Sequence, residues 1–92
     1  MATQATPITD TTEAVRRVLA DVLGLKPAVA ASLRGNTPLF GALPELDSMA
    51  VAGLLTELED RLGIIIDDDE VDGDLFATFG SLATFVARKV GG

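Results

Sequence analysis

Pro27, Gly35, Pro38, Gly41 and Pro44 interrupt the stretch from Leu25 to Asp47 too often for a long helix or a central strand, yet Leu33, Leu39, Phe40, Leu43 and Leu46 are spread through it. A loop this long and this apolar must be pinned onto a core, because long loops without structure of their own are otherwise disordered or functional. The flanking sequence supplies that core with helical periodicity. Val51, Leu54, Leu55, Leu58 and Leu62 recur at i, i+3, i+4, i+7 and i+11, and Gly63 followed by Ile64 has the form of a Schellman ending. Upstream, Asp10 with Glu13 fits a capping box, Val15, Val18, Leu19 and Val22 form a second stripe, and Gly24 supplies a left-handed stop. Downstream, Ser81 offers an N-cap to a last helix whose Leu82, Phe85 and Val86 face inward before Gly91 and Gly92.

Two segments are less regular. Ile64, Ile65 and Ile66 taken alone suggest a strand, but no partner strand exists in the sequence and an unpaired strand is not stable, so the trio reads as a buried connection. Asp67 to Leu75 reads as a short third helix weakened by Gly73, which costs about 1 kcal/mol relative to Ala. Met1 to Thr9 is small and polar, a loose tail, so residues 10–92 are expected to form a single domain. The expected fold class is all-α, a four-helix bundle with a long first loop and a short third helix.

Composition excludes much chemistry. The chain has no Cys and no His, which removes disulfides, thiolate zinc sites and the commonest general base. The N-terminus has neither a basic region nor an apolar run, and no stretch reaches the ~18 apolar residues that span a bilayer. A soluble, cytoplasmic monomer with no membrane insertion is expected. Residues 45–74 hold eleven acids against Arg61 alone, within a net charge of −7. Such a surface disfavours nucleic acid and steers basic protein patches toward itself, although acids also serve simply to keep a small domain soluble.

Against this background one hydroxyl stands out. Ser48, in Leu46-Asp47-Ser48-Met49, lies where the loop gives way to the Leu-rich helix, and a helix start offers free N–H groups and a positive dipole end to a phosphate ester. A hydrolase serine would need a base, and without His only Lys26 or Lys89 is available, so no catalytic residues are expected. Ser48 could equally be a helix cap, but Asp47 caps as well and leaves Ser48 spare.

The acidic run from Asp67 to Asp74 invites a calcium reading. With Asp68 at loop position 1, Glu70, Asp72 and Gly73 fall at positions 3, 5 and 6, but position 12 is Phe79 where a bidentate Glu must close the loop, so an EF-hand is not expected. On the Leu-rich helix, Met49, Ala52, Gly53 and Thr56 lie opposite the core stripe, bordered by Glu57, Glu59 and Asp60. A small apolar strip rimmed by acid suits a partner with a basic rim, and equally suits small residues that are merely tolerated there.

Thr37-Pro38-Leu39-Phe40, Leu43-Pro44-Glu45-Leu46-Asp47-Ser48-Met49, the Leu-rich helix, Leu62-Gly63-Ile64, the acidic turn and Phe79-Gly80-Ser81-Leu82 together resemble the acyl carrier proteins, over residues 12 to 90. The resemblance implies a four-helix bundle in which Ser48 receives 4′-phosphopantetheine from coenzyme A through a separate, magnesium-dependent phosphopantetheinyl transferase. It implies a non-catalytic carrier whose arm holds acyl intermediates as thioesters and presents them to acyl-loading ligases or synthetases and to acyltransferases or synthases with basic patches, in lipid or specialised-metabolite biosynthesis. Aminoacyl or polyketide-type cargo remains an alternative, as does an unmodified acidic interaction module. The resemblance further implies partner recognition by Asp47, Met49, Ala52, Thr56, Glu57 and Asp60, and a core between Leu54, Leu58, Ile64, Phe85 and the pinned loop that opens to shelter an acyl chain. Where fatty-acid-synthesis carriers usually have Asp-Ser-Leu and nearby acids, this chain has Asp47-Ser48-Met49 and then uncharged Ala50-Val51-Ala52-Gly53. That departure implies a specialised carrier with a dedicated partner set.

Overall fold

The computed structural model describes residues 8–43 and 45–91. Helix α1 spans Ile8–Leu23, α2 Pro27–Ser32, α3 Leu39–Ala42, α4 Ser48–Leu62 and α5 Phe79–Gly91, with a 3-10 turn at Asp68–Glu70. The fold is all-α. Three long helices, α1, α4 and α5, make the bundle, the long first connection carries the short α2 and α3, and the 3-10 turn occupies the place of the short third helix. Among the described residues no helix is long and apolar enough to cross a membrane.

Helix α1 packs against both α4 and α5. Its Val15, Val18 and Leu19 are buried with Leu54 and Leu58 of α4 and with Phe79, Leu82 and Val86 of α5. Val51, Leu55 and Leu62 border this cluster half-buried, as a broad helical stripe does on a small bundle. Both glycine stops hold: Gly24 and Gly63 each sit at φ 65°, and the Ile64 N–H donates to the Glu59 carbonyl at 3.2 Å, the Schellman bond.

The long loop is pinned by its leucines, since Leu33, Leu39, Leu43 and Leu46 are all buried. Polar bonds fix its path. Arg16 Nη1 donates to the carbonyls of Ala30 and Leu33, both at 2.8 Å, while the guanidinium lies 5.0 Å from the centre of the Phe79 ring. Three backbone bonds then stitch the loop to the start of α5: Phe79 N–H to Thr37 O at 2.8 Å, Gly80 N–H to Gly35 O at 2.9 Å and Leu39 N–H to Ala77 O at 3.3 Å. A Cβ at position 80 would lie 2.5 Å from the Gly35 carbonyl oxygen, so this crossing needs glycine.

Several expectations are corrected. Helix α1 begins at Ile8, which places Asp10 within the helix rather than at its cap, and Glu13 pairs with Arg16 at 3.2 Å instead; residues 1–7 of the expected tail lie outside the described residues. The cap of α5 is Thr78, whose Oγ1 accepts the Ser81 N–H at 3.0 Å while Ser81 Oγ accepts the Thr78 N–H at 3.0 Å. Ser81 thus supplies the second half of a reciprocal box rather than the cap.

Of the isoleucine trio only Ile64 is buried. Ile65 is 75% exposed, and the Ile66 N–H is claimed by Glu59 Oε2 at 2.8 Å. The expected helix from Asp67 to Leu75 contracts to the 3-10 turn, because Asp67 and Glu70 close a capping box around one turn and Gly73 lies in the irregular chain beyond it. Phe40, expected in the core, is 53% exposed and meets Phe76 edge-on at 6.0 Å. Phe85 is half-buried beneath Lys89, whose Nζ lies 5.7 Å from the ring centre.

Candidate functional site

The start of α4 is built by Asp47. Its backbone is extended, with φ −119° and ψ −174°, and its Oδ1 accepts the Ala50 N–H at 2.8 Å. The capping task is therefore taken, and Ser48 becomes the first helical residue, exposed, with a hydroxyl that makes no hydrogen bond among the described residues. The N–H groups of Ser48 and Met49 precede the first possible intrahelical acceptors and remain available to an anion.

Beside Ser48 lies an open groove of about 310 Å³ lined by Phe40, Ser48, Val51, Val71, Asp72, Gly73 and Phe76. The sequence reading missed this groove, because its apolar wall draws Phe40, Val51, Val71 and Phe76 from widely separated parts of the chain. The one available signal was Phe40, a large aromatic in a loop whose leucines already filled the core. The residues expected to open for an acyl chain are arranged differently: Leu54, Leu58 and Ile64 are buried, whereas Phe85 sits half-buried on α5.

The expected partner residues divide into two groups. Ala52, Thr56 and Glu57 come together with Gly53, Arg61, Asp21 and Val22 along a groove of about 540 Å³ between α4 and α1. Arg61 bridges that groove, 2.7 Å from Asp21 and 2.9 Å from Glu57, and these two carboxylates, Asp21 first, raise its pKa further. Asp47, Met49 and Asp60 line neither groove, and Met49 is 85% exposed directly beside Ser48. Thr56 Oγ1 is turned back to the Ala52 carbonyl at 3.0 Å.

The acids of the 67–74 segment do not converge into a metal site. Among the described residues no group of three or more acidic side chains is placed to hold a metal ion. Asp72 Oδ1 instead accepts the Leu75 N–H at 3.0 Å, and Glu70 pairs with Lys89 at 2.7 Å. The Lys89 ammonium first, and the Asp67 N–H second, hold the Glu70 carboxyl below the usual glutamate range.

A phosphodiester carrying an amide-rich arm fits these features. Ser48 Oγ is unencumbered, the dipole end of α4 offsets part of the repulsion from Asp47 and Asp72, and the adjoining apolar wall offers the arm a surface.

Known proteins resemble this chain over most of its length. A family model described as phosphopantetheine attachment site matches residues 13–86. A solution NMR structure of a holo acyl carrier protein from Nitrosomonas europaea is 44% identical, with a TM-score of 0.81, covering 88% of this chain and 96% of its own. No match emerges among curated proteins. Acyl carrier proteins are carriers rather than catalysts, and they work with phosphopantetheinyl transferases and acyl-handling enzymes. This chain belongs to that family, as an acyl carrier protein with a covalently attached 4′-phosphopantetheine arm.

Proposed function

We propose that Ser48 is the residue that takes the arm, and that the chain is a specialised, non-catalytic carrier serving a dedicated set of partners. The observation that carries this reading is the division of labour at the start of α4: Asp47 caps the helix and leaves the exposed Ser48 hydroxyl unbonded. Of the three serines, Ser32 donates to the Val29 carbonyl at 2.7 Å and Ser81 is engaged in the α5 cap, so Ser48 alone is free among the described residues. When attached, the arm supplies a thiol that holds an acyl group as a thioester, chemistry this Cys-free chain lacks. The protein's own part is to present Oγ to the transferase, to hold the helix start rigid and to offer the α4 face to partners.

That face favours selective docking. Met49 is a large, adaptable contact beside the attachment point, while the next two turns carry no charge until Glu57. Enzymes whose basic patches seek acids early in α4 lose that attraction here, and partners matching Met49, Ala52 and Thr56 with a basic edge toward Glu57 and Asp60 gain by comparison. Ligases or synthetases that load the arm and acyltransferases or synthases that unload it, in lipid or specialised-metabolite biosynthesis, fit this description. A monomer working in the cytoplasm is the setting of this reading.

The test is intact mass after incubation with coenzyme A, magnesium and a broad-specificity transferase. The wild-type chain gains one phosphopantetheine and Ser48→Ala gains none. An unmodified wild-type chain, with a control carrier modified in parallel, contradicts the proposal.

A further inference from the structure

The segment 67–74 forms one wall of the Ser48 groove through Val71, Asp72 and Gly73. Its apolar attachment at this point is Val71, which packs half-buried against the core. Among the described residues, the pairing of Lys89 Nζ with Glu70 Oε1 at 2.7 Å is the one polar bond that ties this segment to a helix. The same Glu70 oxygen accepts the Asp67 N–H at 2.9 Å, so a single carboxylate closes the 3-10 turn and fastens it to α5. Lys89 is steadied in its turn by the Phe85 ring beneath it.

We infer that the Glu70–Lys89 pair is a latch that positions the Val71–Gly73 wall, making Lys89, which does not line the groove, a positioning residue for how far the groove beside Ser48 opens. The two side chains are 31% and 25% exposed, and pairs this accessible favour the closed arrangement by only about two- to fivefold. The latch therefore biases the wall and leaves it free to move when a partner or a longer cargo needs room. Its bearing on cargo rests on Ser48 as the attachment point, whereas the latch itself belongs to the unloaded chain.

The test is a double-mutant cycle on the full chain with Glu70→Gln, which keeps an acceptor for the Asp67 N–H, and Lys89→Met, which keeps the stem over Phe85. The readout is amide hydrogen exchange at Glu70, Val71 and Leu75, whose N–H groups bond within this segment. Each single variant is expected to speed exchange there about two- to fivefold, the double variant no more than the worse single, with Leu54 and Leu58 in α4 unchanged. Unchanged exchange at those three amides, strictly additive effects, or acceleration spread evenly over the bundle overturns the latch. In the loaded protein, hydroxylamine cleavage of an octanoyl thioester is expected to rise by a similar factor in Lys89→Met; equal cleavage in both proteins overturns control of the groove by the wall. If Ser48 does not take the arm, the second arm yields no thioester while the exchange measurement still decides the latch.

Discussion

The two irregular segments that meet beside Ser48 are built to opposite specifications. The first loop, residues 25–47, buries four leucines, is bound twice by Arg16 and is stitched to α5 by three backbone bonds. The acidic segment, residues 67–74, packs against the core through the half-buried Val71 and meets α5 through one half-buried ion pair. One side of the groove, with Phe40, is thereby fixed and the other, with Val71 to Gly73, is adjustable. A carrier that must hold an arm and release it gains from this pairing of a firm wall with a soft one.

The comparison breaks most visibly at Arg16. Arg16→Met removes both bonds to the loop carbonyls, leaving the Leu33 carbonyl unpaired and the Ala30 carbonyl with the Leu33 N–H alone, so stability in urea denaturation is expected to fall by about 2 kcal/mol. Gly80→Ala strikes the same side of the molecule, since its new Cβ meets backbone at Gly35, and an overpacking loss of about 2 kcal/mol is expected from thermal unfolding. A loss below 0.5 kcal/mol for either, at the low end of a single net hydrogen bond, would show that the loop is not held as described. Asp47→Ala removes the α4 cap at a cost of about 1 kcal/mol, with Ser48 still exposed; calorimetry gives the loss.

Much of the firm region is legible in the sequence and little of the soft one is. The stripes of α1 and α4, the Gly24 and Gly63 stops and the pinned leucines are local patterns, and local patterns read directly. The role of Arg16 is not local, because its acceptors lie fourteen and seventeen residues downstream and only the folded loop brings them near. Thr78 and Ser81 carry equivalent hydroxyls three residues apart, so their order as cap and partner is invisible until the helix register is set. Asp10 misleads for a similar reason, being a good cap residue that lies inside a longer helix. In the acidic segment a short helix through Leu75 is expected despite Gly73, while the Asp67–Glu70 box closes a tighter turn first. At the site, Ser48 and Asp47 were legible, whereas the groove wall was not.

The smallest expected effect concerns pH. The folded Glu70 carboxyl lies below its ordinary value of about 4.3, because Lys89 and the Asp67 N–H stabilise the carboxylate. Its contribution is therefore fully present above that unfolded value and is lost as pH falls through the lower folded one. Asp72, Asp74 and Arg88 line the same surface as Glu70. The protection factor of amides in the 3-10 turn, exchange corrected for its intrinsic pH dependence, is expected to stay flat from neutral pH to about 5 and to fall only below about 4, more in the wild type than in Glu70→Gln. Equal departures in both would assign the change to other carboxylates.

The central claim is that Asp47 caps α4 so that Ser48 is free to carry the arm. Tandem mass spectrometry of the wild-type chain, after treatment with coenzyme A, magnesium and a broad-specificity transferase, locates the modification residue by residue. The account predicts phosphopantetheine on Ser48; modification at Ser32 or Ser81, or none beside a fully modified control carrier, would contradict it.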